Sequence, residues 1–434
     1  MENTSKFQKI TDTLVNVGVK LSENKYLSAI KDAFVEFMPL TIIGSAAVLW
    51  SNVICNESTG LGAIWSPIMA LSFLNPMFNA VNFATIGCIA LITAFFVGAR
   101  MSRNYDFSEV FGGGLGVVAF VTTLNTTETV GESSVSGIFS ASLGSQGLFT
   151  GMLVSIVAVE LFAKLYKVEA LKIKMPDQVP PQIARSFEVI IPSFICLVII
   201  AAVSLALNLT TGLYLNDVIS NLIQKPLMNV GASLPGVLLF QVVILCLWAV
   251  GLHGDNMIGA ITNPIFTALT VENMENVQNG IAATNIFNSG FNRAFFATGG
   301  TGMVLGLTVA MLIKAKRDDN KAIAKLAFVP NLFNIGEVDM FGFPVVLTPA
   351  LMIPFIICPL VTGAFGYFMT SIGFCPVFAY DVPWTMPPIL IAFVATGGSW
   401  QAVVTQLIAI ALSVLIYLPF IGIHEKSQEA TNEI

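Results

Sequence analysis

The sequence predicts an all-α polytopic membrane protein, with about ten transmembrane helices and two interrupted apolar segments of the re-entrant hairpin type. Composition, the spacing of apolar stretches and the alternation of loop charge all point there. Of 434 residues, 55% are hydrophobic and 11% are charged, against about 25% charged in ordinary soluble domains. A mean hydropathy of +0.80 does not fit a chain whose whole surface meets water. The net charge of −6 says little, because in a membrane protein the positions of the cations matter more than their total. No run of Lys and Arg with interleaved aromatics occurs, so nucleic-acid binding has no support.

A spanning helix needs about 20 mostly apolar residues. Residues 33–54, 78–99, 109–124, 147–166 and 188–209 answer that requirement in the first half. Lys20, Lys25 and Lys31 precede the first stretch, and Glu57 marks the loop after it. Arg100 and Arg103 follow the second. The loop 125–146 has no Lys or Arg but carries Glu128 and Glu132, and Lys164, Lys167, Lys172, Lys174 and Arg185 follow the fourth stretch. The positive-inside rule then places the N-terminus, the second loop and the fourth loop in the cytoplasm. Residues 1–32 are polar and amphipathic with no signal-peptide core, so the N-terminus is expected to be retained there. Gly112, Gly113, Gly114 and Gly116 read as small residues for close helix packing rather than a nucleotide loop.

The second half is less regular. Residues 214–230 read as an amphipathic helix lying at the interface. Residues 235–252 form a span, and 256–270 a short apolar piece broken by Asn263 and Pro264. Residues 294–313 span back to Lys314, Lys316 and Arg317, while 344–370 and 401–423 complete the set beside Lys426. Both termini are then cytoplasmic. Gly299, Gly300 and Gly302 follow no strand, so they too read as helix-packing glycines. Residues 326–343 and 376–398 are apolar but punctuated by Pro, Gly and acidic residues. Non-helical backbone at membrane depth is tolerated only where protein buries it or it lines a wet cavity. The substrate path is therefore expected in residues 210–424. Residues 33–209 are expected to form the scaffold and dimer interface, and 425–434 a cytoplasmic tail.

Ionisable residues inside membrane segments are costly and mark candidate sites. Glu36 is either functional or merely interfacial, and Glu160 and Glu188, beside lysines, read as solvated. The sharper candidates are His253, Asp255, Arg293, Glu337, Asp339 and Asp381. His253 stands in GLHGDN, where Gly251 and Gly254 let a helix open and Asp255 and Asn256 add polar groups. Against a ligand role stands a histidine satisfied by packing. Glu337, in PNLFNIGEVDMFG with Asn331 and Asn334, must be hydrogen-bonded or neutralised in an apolar medium. A polyhydroxylated ligand would do that, and so would a structural hydrogen-bond knot. Trp384, between Pro383 and Thr385, offers a flat face to an apolar sugar surface, or belongs to an interfacial aromatic belt. The six cysteines lie mostly in apolar stretches without C-x-x-C spacing and read as small buried thiols. With two histidines and no cysteine pair, neither a zinc site nor any cofactor is indicated. The N-x-S/T sequons at Asn56, Asn125 and Asn208 read as chance matches.

The stretches FMPLTIIGS (37–45), LKIKMPDQVPPQIARSFEVIIP (171–192), LWAVGLHG (247–254), NLFNIGEVDMFGFPVVLTP (331–349) and VPWTMPPILIAFVATGG (382–398) run in order along nearly the whole chain. Together they resemble the IIC permeases of the bacterial phosphotransferase system, in the lactose/cellobiose/diacetylchitobiose branch. The resemblance implies a homodimeric inner-membrane carrier with ten helices and two re-entrant hairpins, whose second half carries one disaccharide. A soluble IIB protein, charged through IIA, would then phosphorylate the sugar from a phosphocysteine. It also implies that His253 and Glu337 lie near the sugar and that Trp384 faces it. In the transfer Glu337 is the candidate proton acceptor and His253 the residue that orients the hydroxyl, and Asn256 and Asn334 beside them are candidate binding residues. Departures fall where polar contacts choose the sugar: Val338 and Asp339 after the glutamate, Thr348 before Pro349, and Ser399 and Gln401 in TGGSWQ. No cysteine here has the exposed loop setting of a phosphocysteine, and about a dozen residues follow the last apolar stretch, so neither a phosphoryl carrier nor a fused IIA or IIB domain is expected. An ion-coupled secondary transporter using Asp255 and Asp339 is the rival reading; a membrane receptor is a third.

The loop charges generate the first prediction. In a thiol-free background, single cysteines in 125–146 are expected to react with an impermeant reagent added outside, and those in 168–185 only from inside. The reverse labelling pattern overturns the topology.

Overall fold

The computed structural model describes residues 13, 15–16, 19–20, 23–57, 60–130, 133–176, 178–343, 345–346 and 348–432. Most of the amphipathic N-terminal segment expected over 1–32, and Glu132, lie outside the described residues. The chain divides into two compact units, one of Glu23–Gly44 with Asn82–Met228 and the other chiefly Ser45–Val81 with Asn229–Ile434. Against the boundaries expected from sequence, residues 45–81 go with the later half, and 210–228 stay with the earlier one.

The first unit is built from α1 (Lys25–Leu49, whose last turns enter the other unit), α2 (Ile89–Ser102), α3 (Glu109–Val121), α4 (Leu148–Tyr166), α5 (Pro181–Glu188) and α6 (Ile190–Thr211). Ser108 caps α3 by accepting the Phe111 amide at 3.4 Å, and Gly212 ends α6 in the left-handed conformation, φ 74°. Between α3 and α4 the chain forms a short antiparallel hairpin, Thr127–Val130 against Ser133–Ser136. Helices α2, α3 and α4 pack closely on one another. Without a hydrophobic drive between helices in lipid, small residues that let backbones approach supply the packing. A Cβ on Gly116 would lie 2.6 Å from the Ala94 carbonyl oxygen, and one on Gly98 2.5 Å from that of Gly112. The packing role expected for these glycines thus holds, except at Gly114, where a Cβ would meet nothing within 4 Å.

Charge ties one end of this unit together. Arg100 pairs with Glu36 and, at 2.8 Å, with Glu109. Lys25 Nζ and the Tyr105 hydroxyl both reach Glu160, each at 2.5 Å, and Tyr166 donates to Glu188 at 2.8 Å. Glu160 and Glu188 are therefore engaged, not simply solvated as their neighbouring lysines suggested. The start of α1, the loop after α2 and the last turns of α4 share one end, as the loop charges require.

The second unit holds α7 (Leu234–Ala249), α8 (Gly254–Gln278), α9 (Ser289–Phe295), α10 (Val304–Lys314), α11 (Asp318–Leu332), α12 (Glu337–Gly342), α13 (Pro349–Ser371), α14 (Leu390–Ala395) and α15 (Trp400–Asn432). Helices α10 and α13 pack on α15 around a core that includes Trp248, Phe343, Phe355 and Tyr417. Three expectations need correction. Residues 256–270 are not broken: α8 runs through Asn263 and Pro264 for 25 residues. Residues 294–313 are not one span, because the chain leaves helix between α9 and α10. The last helix does not stop near 423 but continues to Asn432. The two interrupted segments are as expected: 326–343 turns between α11 and α12, and 376–389 carries no helix. Among the described residues five helices are long and apolar enough to cross a membrane, or seven when two bent pairs each count as one span. Two shorter apolar helices, α3 and α10, add to them.

Glycine packing generates the second prediction. Gly116→Ala forces a methyl group against a backbone carbonyl and is expected to cost about 1–3 kcal/mol of stability. Gly114→Ala meets open space and is expected to be neutral or to gain up to about 1 kcal/mol of helix propensity. Unfolding midpoints of the purified variants in one detergent check both.

Candidate functional site

The site grows from the residues between α9 and α10. Gly299, Gly300 and Gly302 have φ of 84°, 113° and 92°, so they form a loop that only glycine enters easily. The helix-packing role read from sequence holds only for Gly302, where a Cβ would strike the Phe355 ring; Gly300 lets backbone meet backbone. A Cβ on Gly300 would lie 2.9 Å from Gly336 Cα. The buried Tyr417 hydroxyl donates to the Gly302 carbonyl at 2.7 Å.

One side of this loop is held by the start of α8. Asp255 Oδ2 accepts from Trp248 Nε1 at 2.9 Å and from the Thr301 hydroxyl at 2.7 Å. That carboxylate ties the end of α7, the start of α8 and the glycine loop. His253 caps α8, its Nδ1 accepting the Asn256 amide at 3.3 Å, and its ring lies 4.3 Å from that of Trp248. An acceptor Nδ1 puts the proton of the neutral ring on Nε2. The cap thus fixes His253 as an Nε2–H donor. Asn256 is exposed, and its side-chain amide has no partner among the described residues.

The other side is held by Asn334, in the left-handed region at φ 59°. Its Oδ1 accepts the Gly299 amide at 2.8 Å, while Nδ2 donates to the carbonyls of Trp384 (2.7 Å) and Met386 (3.0 Å). Three segments without regular structure are joined by one amide. Three residues further, Glu337 opens α12; it is exposed and its carboxylate has no hydrogen-bond partner among the described residues. The sequence left a ligand or a structural knot open for this group, and no knot is found. Trp384 presents its ring with 47% exposure.

Further side chains satisfy the non-helical stretch 376–389. Arg293 on α9 donates to Asp381 at 2.6 Å and to the Val382 carbonyl. Asn273 and Asn288 both donate to the Phe378 carbonyl, at 3.1 and 2.7 Å. Ile389 stands at φ 73°, a strained position for a β-branched residue, with its amide held by Gln406 Oε1 at 2.7 Å. Asp339 is fully buried and bonded to Thr308 and Asn331. Asp255 and Asp339 therefore belong to separate knots and do not form the pair that ion coupling would use. Sequence reading missed Thr301, Asn273, Asn288 and Gln406, neutral residues without a motif. The clustered glycines after Arg293 were the available signal, since they break a helix as readily as they pack one.

Apolar helices of spanning length, interrupted by a patch of non-helical backbone, define a multi-pass membrane protein. Residues 31–359 match the family described as Phosphotransferase system, EIIC. The oligo-beta-mannoside-specific EIIC component of the phosphotransferase system of Bacillus subtilis (strain 168) is 32% identical over 424 residues, 97% of this chain and 94% of that one. The crystal structure of the transporter ChbC, the IIC component from the N,N'-diacetylchitobiose-specific phosphotransferase system, superposes with a TM-score of 0.89 at 32% identity, covering 96% of this chain and 98% of that one. The lactose-specific EIICB component of Lacticaseibacillus casei is 27% identical over 430 residues, 96% of this chain and 71% of that protein. The chain belongs to the EIIC family of the phosphotransferase system and is a sugar permease of that system.

Clasp and free group separate in the third prediction. Asn334→Asp keeps the acceptor but removes both donors, and is expected to cost about 2–3 kcal/mol of stability. Glu337→Gln breaks no protein contact and is expected to shift stability by less than about 0.5 kcal/mol. Thermal or denaturant unfolding of the two variants checks the contrast.

Proposed function

We propose that the permease binds a β-linked disaccharide at His253, Asn256, Glu337 and Trp384, carries it inward, and presents its primary hydroxyl to a phosphorylated IIB protein. The observation that carries this reading is the pairing of an unpartnered carboxylate, Glu337, with a histidine fixed as an Nε2–H donor, on segments bonded to one loop. The family supplies the phosphotransferase context. Two relatives are named for β-linked sugars, oligo-beta-mannoside and N,N'-diacetylchitobiose, and the EIICB relative joins both components in one name.

Each residue has a chemical part. His253 Nε2–H donates to a sugar hydroxyl and orients it. Glu337 accepts the proton as that hydroxyl oxygen attacks phosphorus; the P–S bond to the IIB cysteine breaks, and the thiolate leaves. Positioning dominates the catalysis of such transfers. Trp384 packs on the apolar face of a sugar ring. Asn334, with its amide spent on backbone, is a positioning residue holding Glu337 and Trp384 together. Homodimerisation through the first unit, movement of the second across the membrane, and cytoplasmic termini complete the proposal.

The fourth prediction is a paired measurement on reconstituted protein: equilibrium binding of β-linked disaccharides, and their phosphorylation with phospho-IIB supplied. Glu337→Gln is expected to cut the transfer rate roughly 100-fold or more, while binding weakens by about 1.5–3 kcal/mol at most. His253→Ala is expected to weaken both, and Trp384→Ala binding alone. Transfer at the wild-type rate by Glu337→Gln overturns the acceptor role. Free sugar accumulated on a proton or sodium gradient, without IIB, favours an ion-coupled carrier instead.

A further inference from the structure

The linker 171–192, quoted above as a motif, has no part in the sugar site. It lines a cavity of about 1220 Å³ in the first unit, together with the loop after α2. Four cations, Arg103, Lys167, Lys172 and Arg185, face this space against two carboxylates, Asp106 and Glu169. Arg103 is engaged by Glu109 at 3.0 Å. Lys172 is engaged by Glu169 at 2.7 Å, a hydrogen bond that holds the Glu169 carboxyl below its ordinary range. Lys167 and Arg185 have no ion-pair partner among the described residues. Among the described residues, Lys167 and Arg185 are therefore the lining cations that no carboxylate engages, with Asp106 as the lining carboxylate that no cation engages, in a space with the Tyr166 and Phe111 rings at its wall.

Helix α5 decides what kind of anion fits. Gln182, Arg185 and Ser186 line the cavity, while Ile183 and Phe187, one turn apart on the opposite face, are 49% and 37% exposed. Ile190 extends that apolar face at 47% exposure. A short helix with one face apolar and exposed and the other polar, here with Arg185 between Gln182 and Ser186, suits the plane of a membrane interface. Its apolar side chains then meet acyl chains at the depth where Arg185 meets phosphate.

We propose that this cavity binds the phosphate headgroup of an anionic phospholipid, with Lys167 and Arg185 as the phosphate-contacting residues and the Ile183–Phe187 face against the acyl chains. In the orientation set out above, this is a lipid of the cytoplasmic leaflet, where anionic headgroups attract such basic clusters. The site is separate from the sugar site in residues and in chemistry, and its test is independent of transport.

The test is thermal unfolding of the purified full-length protein in a non-ionic detergent, titrated with a short-chain phosphatidylglycerol, the matching phosphatidylcholine, or glycerol phosphate. Wild type is expected to be stabilised saturably by phosphatidylglycerol alone. Lys167→Gln and Arg185→Gln are each expected to raise the half-saturating concentration about fivefold, and the double variant more. Lys174→Gln removes the same charge outside the cavity lining and is expected to leave it unchanged. Should the double variant fail to fold, the single variants give the same readout. Equal stabilisation by phosphatidylcholine, or an unaltered phosphatidylglycerol response in the variants, overturns the site. Stabilisation by glycerol phosphate that the variants lose overturns the lipid assignment in favour of a soluble phosphate compound.

Discussion

The backbone amides and carbonyls of residues 296–303 and 376–389 have no helix to satisfy them, yet they belong to a unit made for an apolar medium. Each group left unbonded there costs several kcal/mol. That constraint explains why so many neutral polar side chains gather in the second unit. Asn334, Asn273, Asn288, Gln406 and Arg293 all spend donors or acceptors on main-chain groups of these stretches. Satisfied in this way, an irregular backbone becomes as fixed as a helix. A carrier needs such a backbone, because a regular helix uses up the groups that could shape a polar cavity.

The same bonds determine which polar groups remain for a solute. Asp255, an ionisable residue in a membrane segment, is consumed by Trp248 and Thr301. Asp339 is consumed by Thr308 and Asn331. Glu337 is left over, and His253 keeps one nitrogen after capping α8 with the other. Partnering therefore separates the carboxylates spent on the fold from the one left free. Strain falls in the same place: Ile389, at positive φ, ends the extended stretch that bears Trp384. Such a conformation persists only where its surroundings over-determine it, and the Gln406 acceptor is part of that support.

In the first unit the work is done by close helix contact and by charge. Glycines on α2 and α3 bring backbones together where lipid offers no hydrophobic drive. Ion pairs and tyrosine hydroxyls gather at a single end, where Arg100 meets Glu36 and Glu109 while Lys25 and Tyr105 meet Glu160. Each exposed pair is worth little, typically below about 1 kcal/mol. Their shared location matters more, because it leaves Lys167 and Arg185 as cations without an ion-pair partner among the described residues, beside an amphipathic helix. Anchorage to charged lipid is the use proposed above for these two cations.

By itself the sequence determined the class, the charged end of the first unit, the interrupted segments and the motif residues His253, Glu337 and Trp384. These follow from composition, from apolar lengths near the bilayer thickness, and from rare ionisable or aromatic residues inside apolar runs. It misread elements whose outcome depends on what lies across from them. Pro264 stays within α8, although a proline inside a helix signals a break. The three glycines at 299–302 open a loop, whereas Gly112 and Gly116 pack helices, and only the surface opposite each one tells them apart. The parts of Asn334, Gln406 and Asp255 were decided by tertiary structure alone. Each is set by partners that lie up to 112 residues away in the chain, and hydrogen-bond satisfaction is a property of positions in space rather than of residue type.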